Sequence, residues 1–95
     1  MKPIEVQPYF KIKREVSSLE QKDIEQQRYI YLYEDKVVTK HREFPIDQVM
    51  DVSYRKFGKQ GGLLYLHTLK GVYPYNVKSS PHTFMNALKE HLQNI

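Results

Sequence analysis

Two strand patterns and one helix pattern follow each other in LLYLHTLKGVYPYNVKSSPHTFMNALKEHL, residues 63–92. Residues 63–69 and 72–77 are rich in leucine, valine and tyrosine, which favour strands. Lys70-Gly71 between them is typical of a tight turn. Because proline cannot donate to a strand ladder, Pro74 predicts that the second of these strands lies at an edge or a bulge.

The helix pattern closes this stretch. Ser80-Pro81 is typical of a helix start, with Ser80 as N-cap and Pro81 at the first helical position. Phe84, Leu88 and Leu92 then recur at helical spacing, which predicts an amphipathic helix over residues 81–93. We expect its apolar face to lie on a sheet and to close the core.

More strands are predicted upstream. Residues 9–16 alternate between apolar and charged side chains, as in a half-buried strand. The pattern of residues 28–41 predicts a hairpin that turns at Glu34-Asp35-Lys36. Because of Pro45, residues 44–46 are predicted to lie at a sheet edge or a corner, and residues 48–57 are predicted to form another strand. Residues 1–8 read as a loose lead-in, and residues 17–27 are polar and left open between loop, helix and strand.

The composition fits one small domain over residues 1–95. Cysteine is absent, which excludes disulfides and thiolate metal sites and fits a reducing compartment. The N-terminus has no signal-peptide core, and no segment is apolar enough to span a membrane, so a cytoplasmic protein is expected. Residues 57–95 carry four cations and one acid, a basic bias too mild for a dedicated nucleic-acid binder.

The segments FPIDQVMDVSY, LLYLHT, KGVYPYNV and SSPHTFMNALKEHL, in this order, resemble the second half of bacterial PH-like domains. The resemblance covers about residues 28–93, and it includes a distant similarity to small PH-like proteins of the sublancin-immunity type. It implies a mainly β, α+β fold, namely a bent barrel or sandwich of six to seven antiparallel strands capped by a C-terminal helix. Phosphoinositide-binding members use clustered Lys and Arg after the first strand, whereas residues 17–27 carry one Lys and three acids, which argues against that site.

The segment RKFGKQGG, residues 55–62, holds three cations and three glycines. It lacks the Ser/Thr and the following helix of a phosphate-binding loop. We interpret it as a strand connection in which glycine supplies positive φ. Its cations Arg55, Lys56 and Lys59 are candidates for a contact surface with an anionic partner; the alternative is that they only keep a sheet edge soluble.

Three tyrosines, Tyr29, Tyr31 and Tyr33, alternate with Ile30 and Leu32 on the predicted hairpin. Such a row packs across strands, offers an aromatic strip to a protein partner, or stacks unpaired bases. The sequence favours packing first and a protein contact second. We therefore count these tyrosines with the candidate contact residues.

The sequence shows no motif that indicates catalysis or metal binding. The four histidines lack metal-binding spacing, and the serines lie in no nucleophile motif. We predict a non-catalytic module with no catalytic residue, cofactor or metal. Its expected partner is a protein or peptide bound by strand addition or in a groove. The alternatives are an anionic lipid surface, which would place the protein at the membrane periphery, and, less favoured, single-stranded nucleic acid. The oligomeric state is left open.

Overall fold

The computed structural model describes residues 2–16, 21–58 and 61–94. In these residues seven antiparallel strands are followed by one helix, a mainly β arrangement of the α+β class. The elements are β1 (Glu5–Val16), β2 (Gln21–Leu32), β3 (Lys36–Val38), β4 (Glu43–Pro45), a 3-10 turn (Ile46–Gln48), β5 (Val49–Lys56), β6 (Gly62–Thr68), β7 (Gly71–Val77) and α1 (His82–Gln93).

The strands form one sheet in the order β4-β3-β2-β1-β7-β6-β5. β1 and β2 pair along their whole length, from Glu5 with Leu32 to Val16 with Gln21. β1 and β7 meet only at Phe10 and Asn76. The sheet is therefore continuous but weakly joined in the middle, where two strand groups diverge.

One cluster of buried side chains holds the two groups together. Alternation along the strands sends one set of residues inward, as period-2 geometry requires. α1 covers this inner face with Phe84, Met85 and Leu88 and packs against β5 and β1. The strand members of the core are Tyr9, Ile30, Leu32, Val37, Phe44, Val49, Val52, Leu64, Leu66 and Val77. In β6 it is thus Leu64 and Leu66 that point inward, one of the two alternatives that the sequence left open.

One prediction for the N-terminal third is wrong: the lead-in assigned to residues 1–8 is strand from Glu5 onward, because residues 5–8 continue the ladder with β2. Of segment 17–27, which the sequence left open between loop, helix and strand, residues 21–27 belong to β2, and residues 17–20 lie outside the described residues. The first half of β2 extends beyond the core. Ile24 is exposed there, so the backbone ladder to β1 forms the strand without a buried face to mark it in the sequence.

The predicted glycine connection is confirmed. Gly58 (φ +58°) and Gly61 (φ +117°) have the positive φ that it requires, and the Phe57 amide donates to the Gly61 carbonyl as β5 turns into β6. The hairpin of residues 28–41 is also confirmed, although its returning strand ends at Val38. β4 is an end strand followed by a turn, as Pro45 predicted.

Two finer predictions need correction. The helix N-cap is Pro81 rather than Ser80, and the Ser80 hydroxyl is instead hydrogen-bonded to Nδ1 of His82. Pro74 does not mark an edge strand, because β7 lies between β1 and β6. It lies beyond the single contact of β7 with β1, so its missing amide falls where the two strands have separated.

Candidate functional site

A cleft of about 530 Å³ opens where β1 and β7 separate. β1 contributes the stretch from Tyr9 to Ile12, and β7 contributes the stretch from Pro74 to Asn76. The turn between β3 and β4 crosses its far side with Thr39, His41 and Arg42. The cleft thus exists because β1 continues outward after Phe10 while β7 turns away from it.

The lining of this cleft is cationic. Tyr9 and Arg28 face each other in the β1–β2 register, so both point to the inner face, and Lys11 follows on that face two residues later. His41 and Arg42 approach from the opposite turn. No Asp or Glu among the described residues lines the cleft. We call Lys11, Arg28, His41 and Arg42 the cationic quartet.

Arg28 has spare hydrogen-bonding capacity. One terminal nitrogen donates to the Gln26 side chain at 2.9 Å, whereas the buried Nε has no partner among the described residues. A buried guanidinium nitrogen without an acceptor is unfavourable, and the balance improves when an anionic group supplies one. The quartet therefore contains a donor that suits an incoming anion.

Aromatic rings form the floor of the cleft. The guanidinium of Arg42, which lines the cleft, lies over the neighbouring Tyr73 ring, 4.8 Å from its centroid, in a cation–π contact. Tyr75 is half-buried, and desolvation raises its pKa to about 12, against the opposing effects of a hydrogen bond with Thr39 and the charge of Arg42. The Tyr75 hydroxyl is therefore neutral at physiological pH.

The lowered pKa of His41 reflects the positive electrostatic potential of the cleft. Loss of hydration, followed by repulsion from Arg28, Lys40 and Lys11, lowers the pKa of His41 below its usual value of 6.5. The side chain is exposed, and the positive charges of the three neighbouring cations disfavour its protonated form. The imidazole is thus mainly neutral at pH 7, and an anion in the cleft would raise its pKa again.

The tyrosine row lies on the outer face of β2, as its alternation with Ile30 and Leu32 predicted. The rings contact each other in sequence, with centroids 6.3 Å apart for Tyr29–Tyr31 and also for Tyr31–Tyr33. Tyr29 is exposed, and the other two are half-buried. The three tyrosines therefore pack partly against each other. They lie on the face of the sheet opposite to the inward-pointing Tyr9 and Arg28.

The predicted contact cations of the glycine connection are less well grouped. Arg55 and Lys56 are both exposed at the end of β5, but successive strand residues point to opposite faces. Arg55 lies over the Phe57 ring, 5.4 Å from its centroid. Lys59 lies outside the described residues. The structure brings the cationic quartet together, and it does not bring together Arg55 and Lys56.

A serine–histidine pair was missed by the sequence motifs. The Ser53 hydroxyl and the His67 Nε2 are 2.7 Å apart on neighbouring strands, and Asp51 is opposite His67 in the register. The pair lies on the outer face of the β5–β6 hairpin, whereas nucleophilic catalysis also needs donors for an oxyanion beside the serine. We interpret it as a cross-strand contact.

The cationic quartet was also missed, because two members are brought in by strand register. Lys11 and Arg28 are far apart in the sequence and become diagonal neighbours only in the β1–β2 register, where Lys11 pairs with Gln26 and Arg28 with Tyr9. The local signal that was available is Lys40-His41-Arg42, three consecutive basic residues in one turn. A turn of this kind at a strand connection predicts a basic loop but not the cleft beside it.

Comparison with known proteins gives no assignment: no protein-family model matches the chain, and no curated protein sequence matches it. Within the described residues, no group of three or more His, Asp or Glu side chains is placed to hold a metal ion. No helix in that part of the chain is long and apolar enough to cross a membrane.

Proposed function

We propose that this chain is a non-catalytic interaction module of PH-like fold that binds an acidic segment of a cytoplasmic partner protein in its cationic cleft. The observation that carries the proposal is the cationic quartet, which has no acidic side chain beside it among the described lining residues. Like charges close together repel, and a bound carboxylate series relieves that repulsion.

The strand order supports the PH-like part of the proposal. β4 and β5 lie at opposite ends of the sheet, yet only Ile46–Gln48 separates them in the chain. A connection this short brings the two ends close together, so the sheet bends strongly around its core. A bent seven-stranded sheet with a C-terminal helix on its inner face is the architecture that the resemblance implies.

A free strand edge favours a peptide over a smaller anion. Beyond Phe10, β1 has no partner strand on its β7 side among the described residues, and Lys11 and Ile12 of this stretch border the cleft. Exposed strand edges accept extended peptides through main-chain hydrogen bonds, while alternate side chains of the peptide enter neighbouring pockets. Glutamates at alternate positions would thus face the quartet.

Fluorescence anisotropy with a labelled peptide of alternating glutamate and threonine tests this function. We expect binding at low salt that weakens as salt rises, and no binding of the same peptide with glutamine in place of glutamate. Lys11→Gln and Arg28→Gln should each weaken binding by about tenfold, the loss of one charge-assisted contact. Lys89→Gln, which removes an exposed charge from α1, is the matched control and should bind as the wild type does. Equal binding of the two peptides would contradict the proposal.

An anionic lipid surface is the second candidate, and one observation favours it. Ile12 is 52% exposed at the border of the cleft that Lys11 also lines, and an exposed apolar side chain at a cationic cleft suits a membrane interface. Sedimentation with vesicles of phosphatidylserine and phosphatidylcholine distinguishes the two. Loss of vesicle binding in Ile12→Ser, together with no affinity for the acidic peptide, would favour the lipid surface.

A further inference from the structure

β5 forms one end of the sheet, and its edge away from β6 has no strand partner among the described residues. It pairs only with β6 among the described residues, and it contains no proline over Val49–Lys56. The other end strand, β4, has three residues and includes Pro45. A long edge without proline is a template for another strand, and proteins usually block such edges. Only the register shift between Val49 and Asp51 perturbs β5, so the edge is regular from Asp51 onward.

The outer face of this edge carries a charge pattern that is complementary to itself. Asp51, Ser53 and Arg55 point to that face, opposite His67, Tyr65 and Leu63 of β6. If a second β5 runs antiparallel with Ser53 opposite Ser53, two-fold symmetry places each Asp51 opposite the Arg55 of the other copy. Both side chains are exposed in the single chain and so are accessible to such a partner.

Other registers lose this match. A slip of two residues in either direction sets Asp51 or Arg55 opposite Ser53 and leaves the acid–base pairs unformed. A slip of one residue sets outer-face positions opposite inner-face positions, so the buried side of one copy would continue into the exposed side of the other. In the register about Ser53, Val52 is opposite Tyr54 of the second copy, and both belong to the inner face.

We propose that two copies of this chain associate through their β5 edges, antiparallel about Ser53, with reciprocal Asp51–Arg55 ion pairs across the join. The isologous geometry is that of a two-fold homodimer. Main-chain hydrogen bonds and the extended inner face hold the two strands together, and the exposed ion pairs set the register more than the strength. The interface is separate from the cationic cleft, so it goes beyond the function proposed above and does not depend on it.

Charge reversal tests this interface through sedimentation velocity of the full chain over a range of concentrations. The wild type should show a monomer–dimer equilibrium. Asp51→Arg sets arginine opposite arginine, and Arg55→Asp sets aspartate opposite aspartate, so each variant alone should weaken the dimer by about tenfold or more. An equimolar mixture of the two variants restores both acid–base pairs and should form a heterodimer. Lys89→Asp, a charge reversal on the exposed side of α1, should behave as the wild type does.

A single cysteine gives an independent readout, because the chain has none of its own. Ser53→Cys places two thiols at the two-fold axis, where directly opposed strand residues are close enough to form a disulfide. Mild oxidation should give covalent dimers from Ser53→Cys much faster than from the exposed Ser80→Cys. A wild type that stays monomeric at all concentrations, a dimer unaffected by both charge variants, or a mixture that fails to recover the dimer would each overturn the proposal.

Discussion

The ring of Tyr75 meets the ring of Tyr9 edge to face, with centroids 4.9 Å apart and planes inclined by 74°. Tyr9 comes from β1 and Tyr75 from β7, the two strands that part at the cleft. This side-chain contact therefore joins the two strand groups. It lies close to Phe10 and Asn76, the one residue pair in the register between β1 and β7 among the described residues. Both rings also line the cleft that the cationic quartet lines.

The first prediction concerns alkaline pH. Burial raises the pKa of Tyr75 to about 12, whereas an unfolded tyrosine titrates near 10, so the folded state holds this proton more tightly. The resulting stabilisation is complete below pH 10 and is lost as the pH rises from 10 towards 12. Urea unfolding across this window should show a steeper loss of stability in the wild type than in Tyr75→Phe. Equal slopes in the two proteins would contradict the assignment.

The second prediction concerns binding at acidic pH. Neighbouring cations and loss of hydration lower the pKa of His41, and bound carboxylates would raise it again. Binding then takes up a proton, so affinity for the glutamate peptide should increase as the pH falls from 7 towards 5, above the range where glutamate itself is protonated. His41→Gln should remove this increase, and His82→Gln on the exposed start of α1 should keep it. Anisotropy titrations at several pH values measure the effect.

The third prediction concerns the helix. Phe84 is 1% exposed and inserts from α1 into the strand core, so Phe84→Ala removes a fully buried ring and leaves a cavity. We expect a loss of about 3–5 kcal/mol in the free energy of unfolding. Leu69→Ala, at a site that is 66% exposed, should change it by less than about 0.5 kcal/mol. Denaturant unfolding compares them, and similar losses in both would mean that α1 does not cover the core.

The fourth prediction separates two glycines of the β5–β6 connection. At Gly61, φ is +117° and an added Cβ would lie 2.4 Å from the Val77 carbonyl oxygen, so alanine meets both strain and a backbone clash. At Gly58, φ is +58° with open space around the added atom, so alanine meets the backbone strain alone, about 1 kcal/mol. Gly61→Ala should therefore destabilise the protein clearly more than Gly58→Ala. Thermal unfolding of the two variants decides the order.

Local patterns were enough for most elements with a buried face. The strands around Leu64 and Leu66, the hairpin at Ile30 and the helix of Phe84 each show the period of their secondary structure. The pattern failed at residues 21–27, because a strand that projects from the core has no apolar period to show. The sequence pattern also predicted an edge or a bulge for the strand of Pro74, whereas β7 lies between β1 and β6. The order of strands in a sheet depends on which strands pair and not on the residues of one strand.

By itself, the sequence determined the alternation, the turns and the presence of the C-terminal helix, because these depend on neighbours within a few residues. It also determined the basic turn at Lys40-His41-Arg42. Only the tertiary structure decided that Lys11 and Arg28 join this turn around one cleft, and that β5 is left at an edge with Asp51 and Arg55 on one face. Both results follow from strand register and sheet order, which bring together residues that are distant in the chain.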